Sequence, residues 1–349
     1  MDLDFFFEAN RTGIRMDIAS QVTNIWVSPY ELIPKVAGSL NAKTKVQVVH
    51  GVLLRVQFHD QKVFGHASLQ SWPTLGDPSI EALLARVKSL HSGDVHDLLQ
   101  CSLQSALLDA EFRGNERNAF SGLVVPASHA TLTELSEQAV QQAREAGFSA
   151  VKCKIGRDLL VEGPHLEQIV RSFPDIRLRL DANDSVTSEF FLKWWLSLSD
   201  ELKDAVDFVE DAFVGAANTE LRRFPIALDR DLHASAQGQV DYGVWKPALL
   251  PRGQVGSLID KGKFDRWVVT SYMDHPIGQS FSAYEAALLA QKCSSEVSTG
   301  LQTQACFEPT AYSDCLGEWS PHWSPASGYG WGFDRLLENE PWKLIYQSE

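Results

Sequence analysis

The sequence predicts an α/β protein: a TIM-like (β/α) barrel preceded by a small α+β domain. Three observations predict it. From about Asn118 onward, apolar strand-like runs alternate with helix-like stretches at a spacing of roughly 20 to 30 residues, the rhythm of such a barrel. The first hundred or so residues instead place strands before helices, the order of an α+β unit. Five successive strand-like runs in the second region end on a charged side chain, and strand ends are where a barrel carries its chemistry.

In the N-terminal region, Lys45 to Phe58 is rich in β-branched and apolar residues, His59-Asp-Gln-Lys62 reads as a turn, and Val63 to Ala67 as a returning strand. Ser79 to Leu90 and Val95 to Phe112 carry helical apolar spacing. The alternating region then opens with a strand candidate, Ala119 to Val125. A helix candidate follows over Thr133 to Ala146, with its stripe at Leu135, Ala139, Val140, Ala143 and Ala146 and with Gly147 at a left-handed cap position. Further strands are expected at Ala150–Ile155, Ile176–Asp181, Val206–Glu210, Ile226–Asp229, Val244–Lys246, Trp267–Ser271 and Glu296–Thr299, mostly with helices between them. A doubly wound open sheet is the main alternative, but no GxGxxG follows a strand. After about Pro309 the chain is rich in Trp, Gly, Ser and Pro. Its aromatics need burial, so this segment is expected to pack back onto the N-terminal domain.

Composition narrows the function. The 349 residues are 44% hydrophobic and 22% charged, as in ordinary globular proteins. The net charge of −14 argues against nucleic-acid binding, which needs clustered Lys and Arg. It leaves an anionic substrate open, because a bound cation reverses the local field. The acidic start Met1-Asp-Leu-Asp4 does not read as a signal peptide, and no run approaches the ~20 apolar residues of a membrane helix. Five scattered cysteines suit a reducing cytosol, and ten scattered histidines without a close pair make zinc unexpected. The expectation is a cytoplasmic enzyme acting on a small-molecule carboxylate, monomer or homo-oligomer, with no nucleic-acid or membrane partner.

The strand-end charges point to a reaction. Lys152 and Lys154 stand two apart on a strand and so share a face. Two ammonium groups on one face are expected to lower each other's proton affinity, and burial lowers it further, which is how a lysine becomes a base near neutral pH. Asp181, Glu210 and Asp229 each follow an apolar run. Any one of them would serve equally well as a helix N-cap. Three in succession after a lysine pair favour a shared hard divalent cation, which relieves their repulsion. Lys246, just before Pro247, would face the axis from the other side. A proton on carbon beside a carboxylate is a very weak acid. Its removal makes an enediolate that a metal and nearby cations stabilise while a lysine takes the proton.

This pattern resembles the enolase superfamily, in its muconate-lactonising subgroup. The resemblance is carried by Lys152-x-Lys154, Asp181-Ala-Asn183, Glu210-Asp211, Leu228-Asp229 and Lys246-Pro247, in family order across almost the whole chain. It implies a (β/α)7β barrel over 113–309 beneath an α+β capping domain made by 1–112 and the tail 310–349. It also implies Asp181, Glu210 and Asp229 as ligands of Mg²⁺, with Mn²⁺ as an alternative. Lys154 and Lys246 would be catalytic. Lys152, Arg179, Asn183, Ser271, Thr299 and Gly300 would contact substrate. Asp231 is a rival for the third ligand position; Asp229 is preferred because it directly follows its strand.

Three features resemble the o-succinylbenzoate synthase family within that subgroup: Arg179-Leu-Asp181-Ala-Asn183, the loop Thr270 to Gly278, and the tail Gly328 to Trp342. The implied reaction is dehydration of 2-succinyl-6-hydroxy-2,4-cyclohexadiene-1-carboxylate to o-succinylbenzoate in menaquinone biosynthesis. N-succinylamino acid racemisation, dipeptide epimerisation and muconate cycloisomerisation are the alternatives on the same machinery. A carboxylate-binding barrel without turnover and a Schiff-base enzyme using Lys246 are the competing classes. The sequence departs from the pattern at Asp229-Arg-Asp231 and at Tyr272, Asp274, His275 and Pro276.

Overall fold

The computed structural model describes residues 18–36, 40, 46–88, 90, 95–215, 224–229, 232, 240–293 and 295–348. At the N-terminal end, β1 (Val22–Leu32), β2 (Val49–Phe58) and β3 (Gly65–Gln70) form antiparallel neighbours. A strand from the far end of the chain, β12 (Lys343–Gln347), joins them on the outer side of β1. β1 was not legible as a strand: Thr23, Asn24, Ser28 and Pro29 interrupt its apolar residues. It nevertheless pairs along its whole length with β2, Trp26 opposite Arg55 and Leu32 opposite Val49.

Helices α1 (Ile80–Val87) and α2 (Asp97–Gly114) cover this sheet. The Ser79 side chain caps α1 by accepting from Ala82 N. α2 is buried on nearly every side from Leu98 to Ala110, as expected of a helix held between two layers. Leu99, Leu103 and Ala106 join the core of the sheet, while Leu108 packs with Ile277, Phe281 and Tyr284. Close approach of α2 to β3 requires Gly65, where a Cβ would stand 1.8 Å from the Ala106 carbonyl oxygen.

The larger body is a barrel of eight parallel strands: β4 (Ala130–Leu132), β5 (Ala150–Lys154), β6 (Arg177–Asp181), β7 (Val206–Glu210), β8 (Ile226–Leu228), β9 (Val240–Trp245), β10 (Phe264–Thr270) and β11 (Val297–Gly300), in that spatial order. A parallel bridge between Ser128 and Thr299, with His129 N donating to Thr299 O at 2.9 Å, closes the ring. Between strands lie α3 (Glu137–Glu145), α4 (Leu159–Ser172), α5 (Ser188–Ser197) with α6 (Asp200–Ala205), α7 (Arg252–Asp260) and α8 (Pro276–Lys292).

The first barrel strand is a correction. Ala119 to Val125 is a series of turns, with Gly122 at φ 81, and its Phe120 packs on Trp331 of the tail. Ala119, Phe120, Leu123 and Val125 pack in the cluster around Trp331 while Val124 is exposed, and the barrel starts instead at the short β4.

Strand alternation divides the side chains. Val151, Cys153, Leu178, Leu180 and Val209 face the helices. Phe208, Ala227, Tyr242, Val244 and Val268 pack together inside the barrel and plug it. The charged residues one step further along the same inward rows therefore stand on a solid apolar floor. The tail is tied down by a buried carboxylate: Asp109 accepts from His66 N at 2.8 Å, Arg113 Nε at 2.6 Å and Trp331 N at 2.7 Å. Among the described residues no helix is long and apolar enough to cross a membrane.

Candidate active site

A cavity of about 420 Å³ opens at the C-terminal ends of the barrel strands. Lys152, Lys154, Asp181, Asn183, Asp229 and Lys246 line it from the barrel. Leu40, Trp72, Leu75 and Asp77 line it from the N-terminal region, so the small domain roofs the mouth. The roof is fastened at the site itself. The Tyr272 hydroxyl, just after β10, donates to Asp77 at 2.7 Å, and Trp72 Nε1 donates to the Tyr272 carbonyl at 3.1 Å.

The charges meet as inward-facing neighbours. β5, β6 and β7 run in register, with Lys154 beside Asp181 and Asp181 beside Glu210. The Lys152 ammonium lies 2.6 Å from Glu210 Oε2 and 3.0 Å from Asp181 Oδ2. Lys154 Nζ is 3.3 Å from the same Asp181 oxygen, and Asn183 Nδ2 donates to the other at 2.6 Å. Lys246, after β9, donates to Asp229 at the end of neighbouring β8. Glu210 lies behind Lys152, buried at 2% exposure, and does not itself form the cavity wall.

Burial and pairing set the proton affinities. Burial pushes the Asp181 carboxyl up, but Lys152 and Lys154 outweigh it and hold Asp181 well below the usual carboxylate range. For Glu210 burial prevails over Lys152, and the charges of Asp181 and Asp229 add to it, so its carboxyl is raised. Asp211 is raised too, by burial and then by Asp229 and Glu210. Lys152 reverses the sequence expectation. Burial lowers its proton affinity, but Asp181 and Glu210 more than restore it, and the ammonium is held above an ordinary lysine. The carboxylates govern Lys152, not its neighbouring lysine.

The chain leaves β6 and β7 through left-handed backbone at Asn183 (φ 49), Asp184 (φ 52) and Asp211 (φ 43), conformations that Asn and Asp adopt at low steric cost. These turns bring Asp211 Oδ1 to the Asp229 N–H at 3.1 Å and so fix the end of β8 against β7. Among the described residues no three Asp, Glu, His or Cys side chains already converge as a metal cluster. Asp181 and Glu210 are turned to Lys152, and Asp229 to Lys246. The rival position, Asp231, lies outside the described residues.

Two of the expected substrate contacts, Thr299 and Arg179, do not line the cavity. Thr299 sits beside Val269 on the outward row of its strand, and its hydroxyl donates to the Pro126 carbonyl at 3.1 Å. It therefore points away from the cavity. Arg179 faces the axis but one layer below the mouth. Its Nε donates to Asp207 at 3.1 Å, its Nη1 bonds His129 Nδ1 at 2.8 Å, and its guanidinium lies over the Phe208 ring. Ser271 and Gly300 do line the cavity. Tyr272, singled out in sequence only as a departure from the pattern, lines it as well, and so do His129, Trp72 and Asp77, which were not legible in sequence.

A parallel barrel with lysines and carboxylates at successive strand ends, roofed by an antiparallel sheet domain, defines an enzyme of the enolase superfamily, in its muconate-lactonising subgroup. The muconate lactonizing enzyme of Pseudomonas putida superimposes with a TM-score of 0.71 at 16% identity, covering 92% of this chain and 99% of that one. A dipeptide epimerase of Enterococcus faecalis V583, complexed with Mg and the dipeptide L-Leu-L-Tyr, gives 0.72 at 15% identity, covering 89% and 99%. The family profile described as O-succinylbenzoate synthase, N-terminal domain, matches residues 25–112. An o-succinylbenzoate synthase of Bdellovibrio bacteriovorus is 31% identical over 327 residues, 90% of this chain and 96% of that protein. The chain belongs to the o-succinylbenzoate synthase family of lyases.

Proposed function

We propose that the protein dehydrates 2-succinyl-6-hydroxy-2,4-cyclohexadiene-1-carboxylate to o-succinylbenzoate, with Mg²⁺ as cofactor, as a cytoplasmic step of menaquinone biosynthesis. The observation that carries this reading is the placement of two lysines, Lys154 on β5 and Lys246 after β9, on one roofed cavity whose wall also carries Asp181 and Asp229. The family membership supports the same substrate class. The free cysteines and the net charge of −14 suit a soluble enzyme of a reducing compartment.

The donor set fits a hard divalent ion. Asp181, Glu210 and Asp229 offer carboxylate oxygens from three neighbouring strands. Burial raises the Glu210 and Asp211 carboxyls first, and the neighbouring carboxylates add to it. The Lys152 ammonium already stands between Asp181 and Glu210 as a cation. When bound, Mg²⁺ would supply charge stabilisation for the substrate carboxylate as negative charge builds on its oxygens.

The chain's own residues do the rest. Lys154, at the cavity wall, takes the proton from the ring carbon beside the carboxylate. The same ammonium then returns a proton to the departing hydroxide on that side of the ring. Lys152 holds the carboxylate end by charge. Lys246 faces the developing ring from across the mouth as a cation. Trp72, Leu75 and Leu249 exclude water from the reacting face. The sheet domain up to residue 112, completed by the segment from 310, acts as the cap, and 113–309 as the catalytic barrel.

Lysines from two sides of a cavity also suit stereochemical inversion, and this favours N-succinylamino acid racemisation or dipeptide epimerisation as the second reading. One experiment separates them. The purified protein with Mg²⁺ is incubated with the synthetic cyclohexadiene acid, and in parallel with an N-succinylamino acid and a dipeptide in deuterated water. Aromatic product that vanishes with EDTA is the expected result. Deuterium exchange at the α-carbon without aromatic product would replace the dehydratase reading by the racemase or epimerase one.

A further inference from the structure

His129 stands just before β4 at 3% exposure and lines the cavity. Its Nδ1 is 2.8 Å from Arg179 Nη1. A guanidinium only donates, so Nδ1 accepts, and the ring proton is carried by Nε2. Arg179 is itself fixed, by Asp207 at 3.1 Å and by the Phe208 ring beneath it. A protonated imidazole would set two donors against each other, so this contact keeps the ring neutral and in one tautomer. Burial, then the charges of Arg179 and Lys152, act in the same direction on its proton affinity, with Asp181 opposing.

The free edge of the ring is the informative one. Among the described residues no hydrogen bond reaches Nε2. Across from that edge is Gly300, which also lines the cavity. A Cβ there would stand 2.5 Å from His129 Cε1 and 2.7 Å from Nε2. The glycine leaves room for the imidazole edge and for whatever Nε2–H meets. The contacts running from His129 through Arg179 to Asp207 fix this N–H at the cavity wall as a donor aimed at whatever the cavity holds.

We propose that His129 is a substrate-binding residue whose Nε2–H donates to an oxygen of the bound acid, with Arg179 as the positioning residue that fixes its tautomer and orientation. The proposal rests on the function proposed above. It gives Arg179 its part in substrate recognition at one remove, and it makes Gly300 the residue that admits the donor.

The test compares two substitutions that divide the imidazole. In His129→Asn the side-chain oxygen takes the place of Nδ1 and keeps the Arg179 bond, but no donor reaches the cavity. In His129→Gln the amide nitrogen takes the place of Nε2 and restores the donor. Steady-state kinetics on the cyclohexadiene acid should show KM raised about tenfold in His129→Asn, with kcat within about twofold, and most of that loss recovered in His129→Gln. Mg²⁺ affinity, measured by titration, should match wild type in both. Should His129→Asn fail to fold, incorporation of Nε2-methylhistidine keeps the Arg179 bond, removes only the donor, and should raise KM in the same way. Equal KM in both variants, whether raised or unchanged, overturns the proposal, as does a loss confined to kcat. A wild-type protein that does not turn over the acid overturns the proposed function and this inference with it, whereas an active wild type with an unaffected His129→Asn overturns this inference alone.

Discussion

The Lys152 ammonium lies 2.6 Å from the Glu210 carboxylate, joining a cation from β5 to an anion from β7 above the strand that separates them. Both are nearly enclosed, with side chains 13% and 3% exposed, so neither charge is hydrated as it would be in water. Such a pair is costly to break from one side, because the remaining partner keeps its charge in a poorly solvated place.

Glu210→Gln should therefore weaken Mg²⁺ binding and turnover together. Lys152 keeps Asp181 as a partner, so the loss of stability should stay at about 1–3 kcal/mol. Calorimetric titration with Mg²⁺ and a thermal melt check both. Unchanged metal dependence would remove Glu210 from the ligand set.

Lys154→Ala should lower kcat on the order of 10²- to 10⁴-fold while the melt stays close to wild type. Its side chain is 24% exposed and makes one looser contact, to Asp181 at 3.3 Å, so the fold asks little of it. A folded variant with near-normal turnover would end its assignment as the base.

Tyr272→Phe removes the hydroxyl that holds Asp77 of the roof. A hydrogen bond to a carboxylate contributes about 1.5–3 kcal/mol. The roof should open more often, KM should rise several-fold with kcat little altered, and amide exchange over residues 72–77 should quicken. Exchange rates equal to wild type would show that other contacts, such as Trp72 to the Tyr272 carbonyl, suffice.

Asp274 supplies a pH test of stability away from the metal. Burial pushes its carboxyl up to about 7, against the backbone N–H groups of Asp274 and Tyr272 that favour the anion. A carboxyl raised on folding binds its proton more tightly in the native state. Its stabilising effect is complete below the unfolded value of about 4 and is lost as pH rises through about 7. Neighbouring His275, pushed down to about 3 by burial, works the other way and favours unfolding below pH ~6.5. The difference in melting temperature between wild type and Asp274→Asn isolates the first group. The variant should gain on wild type between pH 4 and 8, and a flat difference would rule out the buried acid.

Much of this was legible because chemistry and fold share a period. Each of β5 to β9 shows an apolar run that stops at Lys154, Asp181, Glu210, Asp229 or Lys246, and two-residue alternation fixes which side chains face inward. Thr299 was named with Gly300 from the resemblance alone, and alternation turns the two to opposite sides of their strand. Arg179 faces the axis below the mouth and is held there by Asp207 and His129, a depth set by how neighbouring strands are staggered. Trp194 and Trp195 are buried as helix packing, both against Phe191 and Trp195 also against Phe224. His129 had no local signal. Its meaning comes from Arg179, fifty residues further on, and from Gly300, brought beside it only when the ring closes. His50 is an exposed partner of Glu31, and His275 caps α8 by accepting from Ile277 N. The expected strand Ala119 to Val125 is instead turn and loop, because most of its apolar residues are claimed by the tail around Trp331 and not by a neighbouring strand.

The pairing of β12 with β1 sets an order of events during synthesis. The N-terminal sheet emerges from the ribosome first but lacks its outer strand until the whole barrel has been made. Until then β1 presents an open edge of unpaired N–H and C=O groups, the kind of template on which nascent chains associate. Its interrupted sequence, with Pro29 removing a donor and polar side chains at Thr23, Asn24 and Ser28, makes that waiting edge a poor one for strangers. The irregularity that hid β1 from a reading of the sequence thus guards the newborn chain.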